Sequence, residues 1–490
     1  MHNAQCIIKN RAMEENILKR ADKRTLRRVG RAADELGVEC YAVGGYVRDL
    51  FLERESKDID FVCVGADSGI NVARQVSRSL EHPAKVNIFK TYGTAQMRLG
   101  KTELEFVAAR RESYHVDSRN PEVSVGTLDD DLSRRDFTIN AMAISVNEAS
   151  FGELIDRFGG VEDLKRRIIR TPLDPDITFS DDPLRMMRAI RFATQLQFSI
   201  AYATFEAIKR NADRIEIITR ERISTELEKI MSSAKPSIGW QLLAESGLLK
   251  HILPELDAMQ GVETVRGRGH KDNFQHTMMV LDRVAQNSDK LWLRWSALLH
   301  DIAKPVTKRW DDSIGWTFHN HNFIGAKMIP RIFKALRMPL GEPMRYVQKM
   351  VELHMRPIAL VEETVTDSAV RRLITDAGED LDDLMTLCRA DITSRNEEKV
   401  RQHLKNFDEV LQKMADVTER DHLRNFQPPV DGAEIMTTFG LQPSQEVGQI
   451  KQALKDAVLD GLIPNDHDAA RELMLRLGAE MGLSPLSQQN

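Results

Sequence analysis

Two aspartates one residue apart, Asp58 and Asp60 in the stretch DIDFV, could together bind a metal ion. On a β-strand both side chains project from one face, where like charges destabilise each other unless a positive charge lies between them. The charges could instead mark a solvated edge strand, but a divalent cation explains them better, because Mg²⁺ is commonly bound by one or two carboxylates and substrate phosphates. Glu105 alternates with Leu104 and Phe106 in TELEFVA, so it can supply a third carboxylate from a neighbouring strand.

A glycine pair, Gly44 and Gly45, precedes these aspartates at the junction of a predicted strand and helix, and Arg48 follows one turn later. Glycines there allow close backbone approach and expose amide groups to an anion. By itself such a turn is more often structural. Beside three carboxylates it indicates two-metal nucleotidyl transfer, in which one metal activates the attacking hydroxyl and the other steadies the leaving pyrophosphate.

Short strands and helices must position these residues. CYAV, IDFVCV, TAQMRL and TELEFVA predict strands, whereas the chain after about residue 160 predicts amphipathic helices only. Changes in composition or glycine and proline content near 155–175, 261–270 and 425–432 predict domain boundaries.

Length and composition indicate a multidomain globular chain. Its 490 residues exceed one ordinary core, and its 42% hydrophobic and 29% charged residues are typical of a water-soluble protein. No apolar run approaches the roughly 20 residues that span a bilayer, and the N-terminus lacks the features of a secretory signal. Four scattered cysteines predict reduced thiols in a cytoplasmic protein. The net charge of −5 argues against a surface covered in basic charge, but it does not exclude a basic stripe that binds nucleic acid.

Several ordered motifs identify a family. GGYVRD, DIDFV, LSRRDFTINAMAI, DRFGGVEDLKRRIIR, DDPLRMMRAIRFA and ERISTELEKI resemble the tRNA nucleotidyltransferase and bacterial poly(A) polymerase family, class II of the polymerase-beta-like transferases. The resemblance implies an α+β fold, with a mixed-sheet nucleotidyltransferase head followed by an all-helical neck, HD body and tail. The expected domains are a head at 1–160, a neck with base-recognition and RNA-binding elements at 161–262, an HD domain at 263–425 and a helical tail at 426–490.

The resemblance also implies roles for individual residues. Asp58 and Asp60 would bind Mg²⁺, with Glu105 as the third catalytic carboxylate. DDPLR would read the incoming base through side chains, because Asp182 can accept from the amino group that CTP and ATP share while Arg185 donates. The family usually has Glu where this chain has Asp181. The residues expected to contact the nucleotide are Gly44, Gly45, Arg48, Arg134, Arg135, Asp136, Asn140, Asp182, Arg185, Arg188 and Arg191.

Products differ within the family, and the polar segment 110–136 bears on the choice. It resembles the flexible loop of enzymes that add the terminal A, which argues against CC-only addition. The chain also lacks the strongly basic extension that poly(A) polymerases often carry. The leading prediction is template-independent addition of CCA to tRNA from CTP and ATP, with no membrane or obligate protein partner. A poly(A) polymerase or A-adding enzyme is the alternative.

A second constellation resembles the HD phosphohydrolases. FQHTMMVL, LLHDIAKP, HNHNFIGAKM, ELHMRP and CRADITSRN carry histidines and aspartates in the HD order. The closest match for the metal ligands is His276, His300, Asp301 and Asp391, with His321 and His354 as ligands of a possible second metal or as phosphate contacts. Such ligands suit Mn, Ni, Fe or Zn, which would activate water. The domain could be an active phosphohydrolase or a helical body kept for shape. A hypothesis of another class makes the chain chiefly an HD phosphohydrolase with a nucleotide-sensing head.

Overall fold

The structure is a computed structural model that describes residues 17–89, 93–113, 122–362, 366–393, 397–421 and 429–486. The chain divides into two compact units between Pro254 and Glu255. Each unit has its own hydrophobic core.

A seven-stranded mixed sheet is the centre of the first unit, in the order β3-β4-β5-β2-β1-β8-β9. Only β2 and β5 pair in parallel; every other neighbouring pair in this sheet is antiparallel. Phe61 and Phe106 stack at 5.1 Å between ring centroids on the buried side of β2 and β5. The strands are β1 (Cys40–Val43), β2 (Asp58–Cys63), β3 (Val86–Phe89), β4 (Thr94–Leu99), β5 (Thr102–Ala108), β8 (Met142–Ser145) and β9 (Leu154–Asp156).

Helices surround the sheet and continue beyond it. They are α1 (Lys23–Glu35), α2 (Gly45–Phe51), α3 (Ser68–Arg78), α4 (Leu128–Ser133), α5 (Gly160–Arg166), α6 (Pro175–Asp181), α7 (Leu184–Leu196), α8 (Tyr202–Asn211), α9 (Arg220–Met231), α10 (Ser237–Glu245) and α11 (Leu249–Ile252). Two short ribbons join this unit, formed by β6 (Arg110–Ser113) with β7 (Glu122–Val125) and by β10 (Ile168–Ile169) with β11 (Ser199–Ile200).

The second unit is mostly helical. Its helices are α12 (Pro254–Asp257), which begins at the division, α13 (Asn273–Asn287), α14 (Leu291–Leu299), α15 (Lys304–Thr307), α16 (His321–Ala335), α17 (Glu342–Leu353), α18 (Met355–Glu362), α19 (Asp367–Ala377), α20 (Leu381–Asp391), α21 (Glu397–Asp421), α22 (Gly432–Phe439), α23 (Gln445–Leu459) and α24 (His467–Glu480). Two hairpins stand beside α13 and α15, one of β12 (Thr264–Val265) and β13 (Arg268–Gly269), the other of β14 (Arg309–Asp311) and β15 (Gly315–Thr317).

The predicted fold class is confirmed, and the four strands predicted from the sequence are β1, β2, β4 and β5. The prediction of helices alone after residue 160 missed the short ribbons β10–β11, β12–β13 and β14–β15, whose strands are too brief to show alternation. Residues 114–121 of the polar segment 110–136, and 422–428 near the last predicted boundary, lie outside the described residues. Among the described helices, none has the length and apolar character needed to cross a membrane.

Candidate active sites

The register between β2 and β5 brings the predicted carboxylates together. Asp60 lies directly opposite Glu105 in this parallel pair, and Asp58 lies two residues earlier on the same face of β2. From the antiparallel neighbour β4, Gln96 Nε2 donates to Glu105 Oε2 at 3.1 Å. Three carboxylates therefore meet on one polar patch of the sheet.

The electrostatics of this patch favour a cation. Burial is the largest cause that raises the pKa of Asp60 to about 6; the Glu105 carboxylate and, to a smaller extent, Asp58 act in the same direction, and the Arg135 guanidinium group opposes them. The negative charges are thus more concentrated than one arginine can offset, and carboxylate oxygens are the ligands that Mg²⁺ prefers.

The glycine turn between β1 and α2 approaches the same carboxylates. Gly44 has a φ of +72°, and a Cβ added there would lie 3.0 Å from Arg135 Nη1 and 3.5 Å from Asp60 Oδ2. A Cβ on Gly45 would lie 3.5 Å from Arg48 Nη2. The positive φ therefore favours glycine at position 44, where a Cβ would also crowd the Arg135 guanidinium group, and the bare backbone of the turn faces two guanidinium groups.

A hydrogen-bonded chain connects Arg48 to helix α7. Arg48 forms a two-nitrogen pair with Asp49 and donates from Nη1 to Asn140 Oδ1 at 2.9 Å. Asn140 Nδ2 donates in turn to Asp136 Oδ1 at 2.9 Å, and Arg188 Nε donates to Asp136 Oδ2 at 2.8 Å. Although burial would raise the pKa of Asp136, Arg188 and Asn140 hold it below its ordinary value, so its charge orders the network.

Asp131 is a site residue that the sequence analysis missed. Its fully buried carboxylate accepts from Arg134 Nε at 3.1 Å through one oxygen, and from Arg135 Nε at 3.1 Å and Nη2 at 2.9 Å through the other. Burial alone would raise its pKa, but the two guanidinium groups hold the pKa below the usual range. The spacing of three and four residues on one helical turn was the available signal.

The predicted base-reading residues lie at the start of α7. Asp182 Oδ1 accepts from the amide of Leu184 at 3.1 Å, and Asp182 Oδ2 lies 3.4 Å from Arg222 Nη2. Arg185 Nη2 donates to the carbonyl oxygen of Arg134 at 2.7 Å. The structure thus connects Arg185 to the RRD motif, whereas Asp182 accepts a hydrogen bond from the first residue of α7, the helix that it precedes.

Arg191 differs from the other arginines of α7, because it is directed into the protein. Its Nε lies 3.1 Å from Glu226 Oε2, and both side chains are more than nine-tenths buried. Phe192, which the sequence analysis also missed, lies under the guanidinium groups of Arg48, Arg188 and Arg191 at 5.1, 5.5 and 4.2 Å from its ring centroid.

In the second unit the six predicted HD residues lie together at the ends of five helices. They form two groups in which the candidate ligand atoms are within 4.8 Å of one another, one of His276, His300 and Asp391 and one of Asp301, His321 and His354. Asp301 connects them: its Oδ2 lies 3.3 Å from His300 Nε2, and its Oδ1 lies 3.3 Å from His321 Nε2. The sequence analysis placed Asp301 with the first group alone, whereas the geometry gives each group one of its oxygens.

The histidines of this cluster are oriented by their outer nitrogens. Nδ1 of His300, His321 and His354 contacts the carbonyl oxygens of Ala297, Phe318 and Val351, respectively, at 2.7–2.8 Å, and His276 Nδ1 contacts Thr393 Oγ1 at 2.9 Å. Buried Nε2 atoms without a hydrogen bond therefore face the interior in the first three. Imidazoles held in this way fit a metal site.

The charges of the cluster also fit a cation. Burial and the neighbouring His300 lower the pKa of His354 to about 4, which leaves this ring neutral, as a metal ligand must be. Burial would lower the pKa of His300, but Asp301 and Asp391 raise it to about 10, so these carboxylates hold a proton on the ring that a metal ion bound there would displace. Burial opposes the charge of Asp391, yet His276 and His300 hold its pKa well below the ordinary value.

Three families of known proteins match successive parts of the chain. Residues 40–170 match the family described as "Poly A polymerase head domain", 197–260 match "Probable RNA and SrmB- binding site of polymerase A", and 273–396 match "HD domain". An A-adding tRNA nucleotidyltransferase of Deinococcus radiodurans is 32% identical over 87% of this chain and 93% of its own length. The chain belongs to the tRNA nucleotidyltransferase and poly(A) polymerase family.

Two further members show how widely this family resemblance extends. A Multifunctional CCA protein of Pseudomonas aeruginosa is 32% identical over 68% of this chain and 81% of its own length. A crystal structure of a tRNA nucleotidyltransferase with a primer tRNA and an incoming ATP analog is 26% identical, with a TM-score of 0.56 over 78% of this chain and 99% of that one. The family resemblance predicted from the motifs is therefore confirmed.

Proposed function

We propose that this tRNA nucleotidyltransferase adds C, C and A to tRNA 3′ ends from CTP and ATP without a nucleic-acid template. The observation that carries the proposal is the pairing of Asp60 with Glu105 beside Asp58, at a glycine turn that also faces Arg135. Support for the substrates comes from the relative solved with a primer tRNA and an ATP analog.

Asp58, Asp60 and Glu105 would hold Mg²⁺, because burial and then the neighbouring Glu105 and Asp58 carboxylates raise the pKa of Asp60, and a cation would relieve this crowding of negative charge. When bound, Mg²⁺ would supply charge neutralisation at the reacting phosphate and activation of the attacking hydroxyl. The Gly44–Gly45 turn, with Arg48 beside it, would bind the triphosphate through backbone amides and the guanidinium group.

Asp182 and Arg185 would select the base, because an aspartate accepts from the exocyclic amine shared by cytosine and adenine and an arginine donates to their ring acceptors. Arg134, Asp136 and Asn140 would contact the ribose and phosphates. The anchoring of the two guanidinium groups of the RRD motif by Asp131 would keep them in position before the nucleotide arrives.

Extension of three tRNA substrates tests this proposal, namely tRNA that lacks CCA, tRNA that ends in C and tRNA that ends in CC, each with CTP or ATP alone and with both. The CCA proposal expects CTP incorporation on the first two and ATP incorporation on the third. Asp58→Ala should remove every incorporation, and failure of wild-type protein to use CTP would refute CCA addition.

A-adding activity is the second candidate, and the name of the Deinococcus radiodurans relative favours it. It predicts ATP incorporation on tRNA ending in CC and none of CTP on any substrate. Long A-only tails would instead indicate a poly(A) polymerase.

We further propose that the HD cluster is a metal-dependent phosphohydrolase. Two groups of ligands that share Asp301 would hold two divalent transition metals, which when bound would supply an activated water. Phosphate release from a phosphomonoester with Mn²⁺, Ni²⁺, Zn²⁺ or Mg²⁺ tests this activity, and His300→Ala should abolish it. If Asp58→Ala left every activity of the protein unchanged, the chain would be chiefly a phosphohydrolase.

A further inference from the structure

A groove of about 460 Å³ lies beside α1 in the first unit, and four arginines of that helix line it, Arg24, Arg27, Arg28 and Arg31. None of these arginines was predicted to contact the nucleotide. Helix α1 also precedes residues 40–170, the part of the chain that matches the head family, so no family match assigns it a role. This arginine groove is therefore a candidate site outside the two already described.

The positive charge of the arginine groove is not neutralised within the described residues. None of its four arginines forms a hydrogen bond or an ion pair with another residue of the described ranges. Arg27 has a contact of another kind, because its guanidinium group lies 4.3 Å from the centroid of the Phe151 ring. Glu35 also lines the groove, but its carboxylate accepts from Gln75 Nε2 and pairs with no arginine. The guanidinium groups therefore remain available to an anion from outside.

The stability of α1 does not account for these arginines. Residues three and four apart are neighbours on a helix, so Arg24 lies beside Arg27 and Arg28, and Arg28 lies beside Arg31. Like charges at this spacing destabilise a helix. Arg24 also lies in the first turn, where the helix dipole is positive, and no acidic residue offsets it there. The arrangement thus costs stability in the free protein and becomes favourable when an anion is bound.

The surroundings of the groove indicate what kind of anion it fits. The apolar side chains of α1, Leu26, Val29 and Ala33, are buried in the first unit, so the helix presents no apolar face to a lipid surface. Ala32 is the one apolar residue among those that line the groove, and it too is buried. The groove therefore lacks the large apolar or aromatic anchors on which protein interfaces depend.

Phosphate is the anion that matches this surface. A guanidinium group binds a phosphate through two parallel hydrogen bonds, which gives arginine an advantage over lysine at such sites. The arginines extend from Arg24 to Arg31, over about two helical turns or roughly 10 Å. A ligand that carries several phosphates in a row would engage all of them at once, as the backbone of a nucleic-acid strand does.

We propose that the arginine groove binds the sugar–phosphate backbone of the RNA substrate, at a contact separate from the nucleotide site and from the RNA-binding family match at 197–260. Helix α1 begins beside α2, because the amide of Asp22 donates to Tyr46 Oη at 3.1 Å, and Tyr46 follows the glycine turn. The groove and the glycine turn are thus on adjoining elements of one unit. The proposal goes beyond nucleotide addition, since it concerns RNA binding alone.

RNA binding by a triple variant, Arg24→Gln/Arg28→Gln/Arg31→Gln, tests the groove. Fluorescence anisotropy with labelled tRNA that lacks CCA, in chelator and at several salt concentrations, should show a Kd raised about tenfold or more at about 0.1 M salt. The slope of log K against log salt should fall by about 2 to 3, because each phosphate contact contributes about 0.7–0.9 to it. Arg24→Lys/Arg28→Lys/Arg31→Lys keeps the charges and should retain most of the slope.

A control variant removes the same charge elsewhere. Arg166→Gln/Arg331→Gln/Arg389→Gln changes exposed arginines that each have an acidic partner, so its slope should stay close to that of wild type. The melting temperature of the glutamine variant of the groove should be equal to or above that of wild type, because the variant removes like-charged neighbours. A lower melting temperature would show that the arginines serve the fold and would overturn the proposal.

Binding outcomes decide the rest. Unchanged tRNA affinity and slope in the glutamine variant, or an equal loss in the control variant, would overturn the groove as an RNA site. If the glutamine variant instead lost binding to polyglutamate or to phosphatidylserine vesicles while its tRNA binding stayed intact, the groove would belong to an acidic protein or a membrane. Because the assay contains no nucleotide or metal, its result stands even if the protein fails to add CCA.

Discussion

Replacement of Glu226 by glutamine should destabilise the first unit by about 3–5 kcal/mol, the usual cost of removing one partner of a buried ion pair. The Arg191 and Glu226 side chains are 9% and 5% exposed, and their closest atoms are 3.1 Å apart without hydrogen-bond alignment. Their attraction is therefore mainly between charges. Burial, and after it the positive charges of Arg188 and Arg48, already lower the pKa of Arg191, and without Glu226 these unfavourable effects would lose their main opposition.

Amide hydrogen exchange of the full chain measures this effect where it occurs. Peptides from α7 and α9 should exchange about 100-fold faster or more in Glu226→Gln, because each 1.4 kcal/mol changes the open population about tenfold. Glu228→Gln, on the same helix but outside the ion pair, should exchange as wild type does. The double variant Arg191→Met/Glu226→Leu should recover most of the protection, because it removes both charges and keeps apolar volume.

Two outcomes would refute this reasoning. Exchange in Glu226→Gln within fivefold of wild type would show that the stranded charge of Arg191 is solvated at little cost. A double variant as unstable as the single one would show that shape, and not an unpaired charge, causes the loss.

Three further predictions concern the two sites. Asp60→Asn should stop nucleotide incorporation and, in chelator, raise the melting temperature, because it removes one of three crowded carboxylate charges; a lower melting temperature would contradict this. Gly44→Ala should reduce kcat/KM for nucleotides at least tenfold with unchanged RNA binding, whereas Gly37→Ala, also at positive φ but in open space, should affect stability alone. His354→Gln should lower the metal content of the purified chain by about one ion in elemental analysis, and His467→Gln should not; equal content in both would argue against the second HD group.

Local periodicity accounts for what could be predicted of the head. The alternation of side chains along a strand places Asp58 and Asp60 on one face wherever that strand lies. The four strands around them carried enough apolar alternation to be recognised, and the ribbons after residue 160 were too short to show any. The motif order identified the family, and the matched domains follow that order.

The pairing of segments that are distant in the chain could not be predicted from the sequence, because it depends on which surfaces become buried in the core. That Asp60 faces Glu105 and not a neighbour depends on the register of a parallel pair, where a slip of one residue would turn every side chain of the strand to the other face. Likewise, the resemblance placed Arg191 among the expected nucleotide contacts without indicating its ion-pair partner. Only the packing of α9 against α7 directs it to Glu226.

The sequence by itself determined which chemical groups this protein has, because residue types, strand alternation and the adjacency of His300 and Asp301 are local properties. The tertiary structure decided which of those groups lie close enough to form ion pairs and hydrogen bonds with one another. In the folded protein, one oxygen of Asp301 contacts each of the two HD groups, and Arg134 and Arg135 both donate to the buried Asp131. The tertiary structure also brought Trp316, Phe318 and His276 together around one cavity. The physical reason is that burial and distance control these interactions, and both arise only when distant segments pack together.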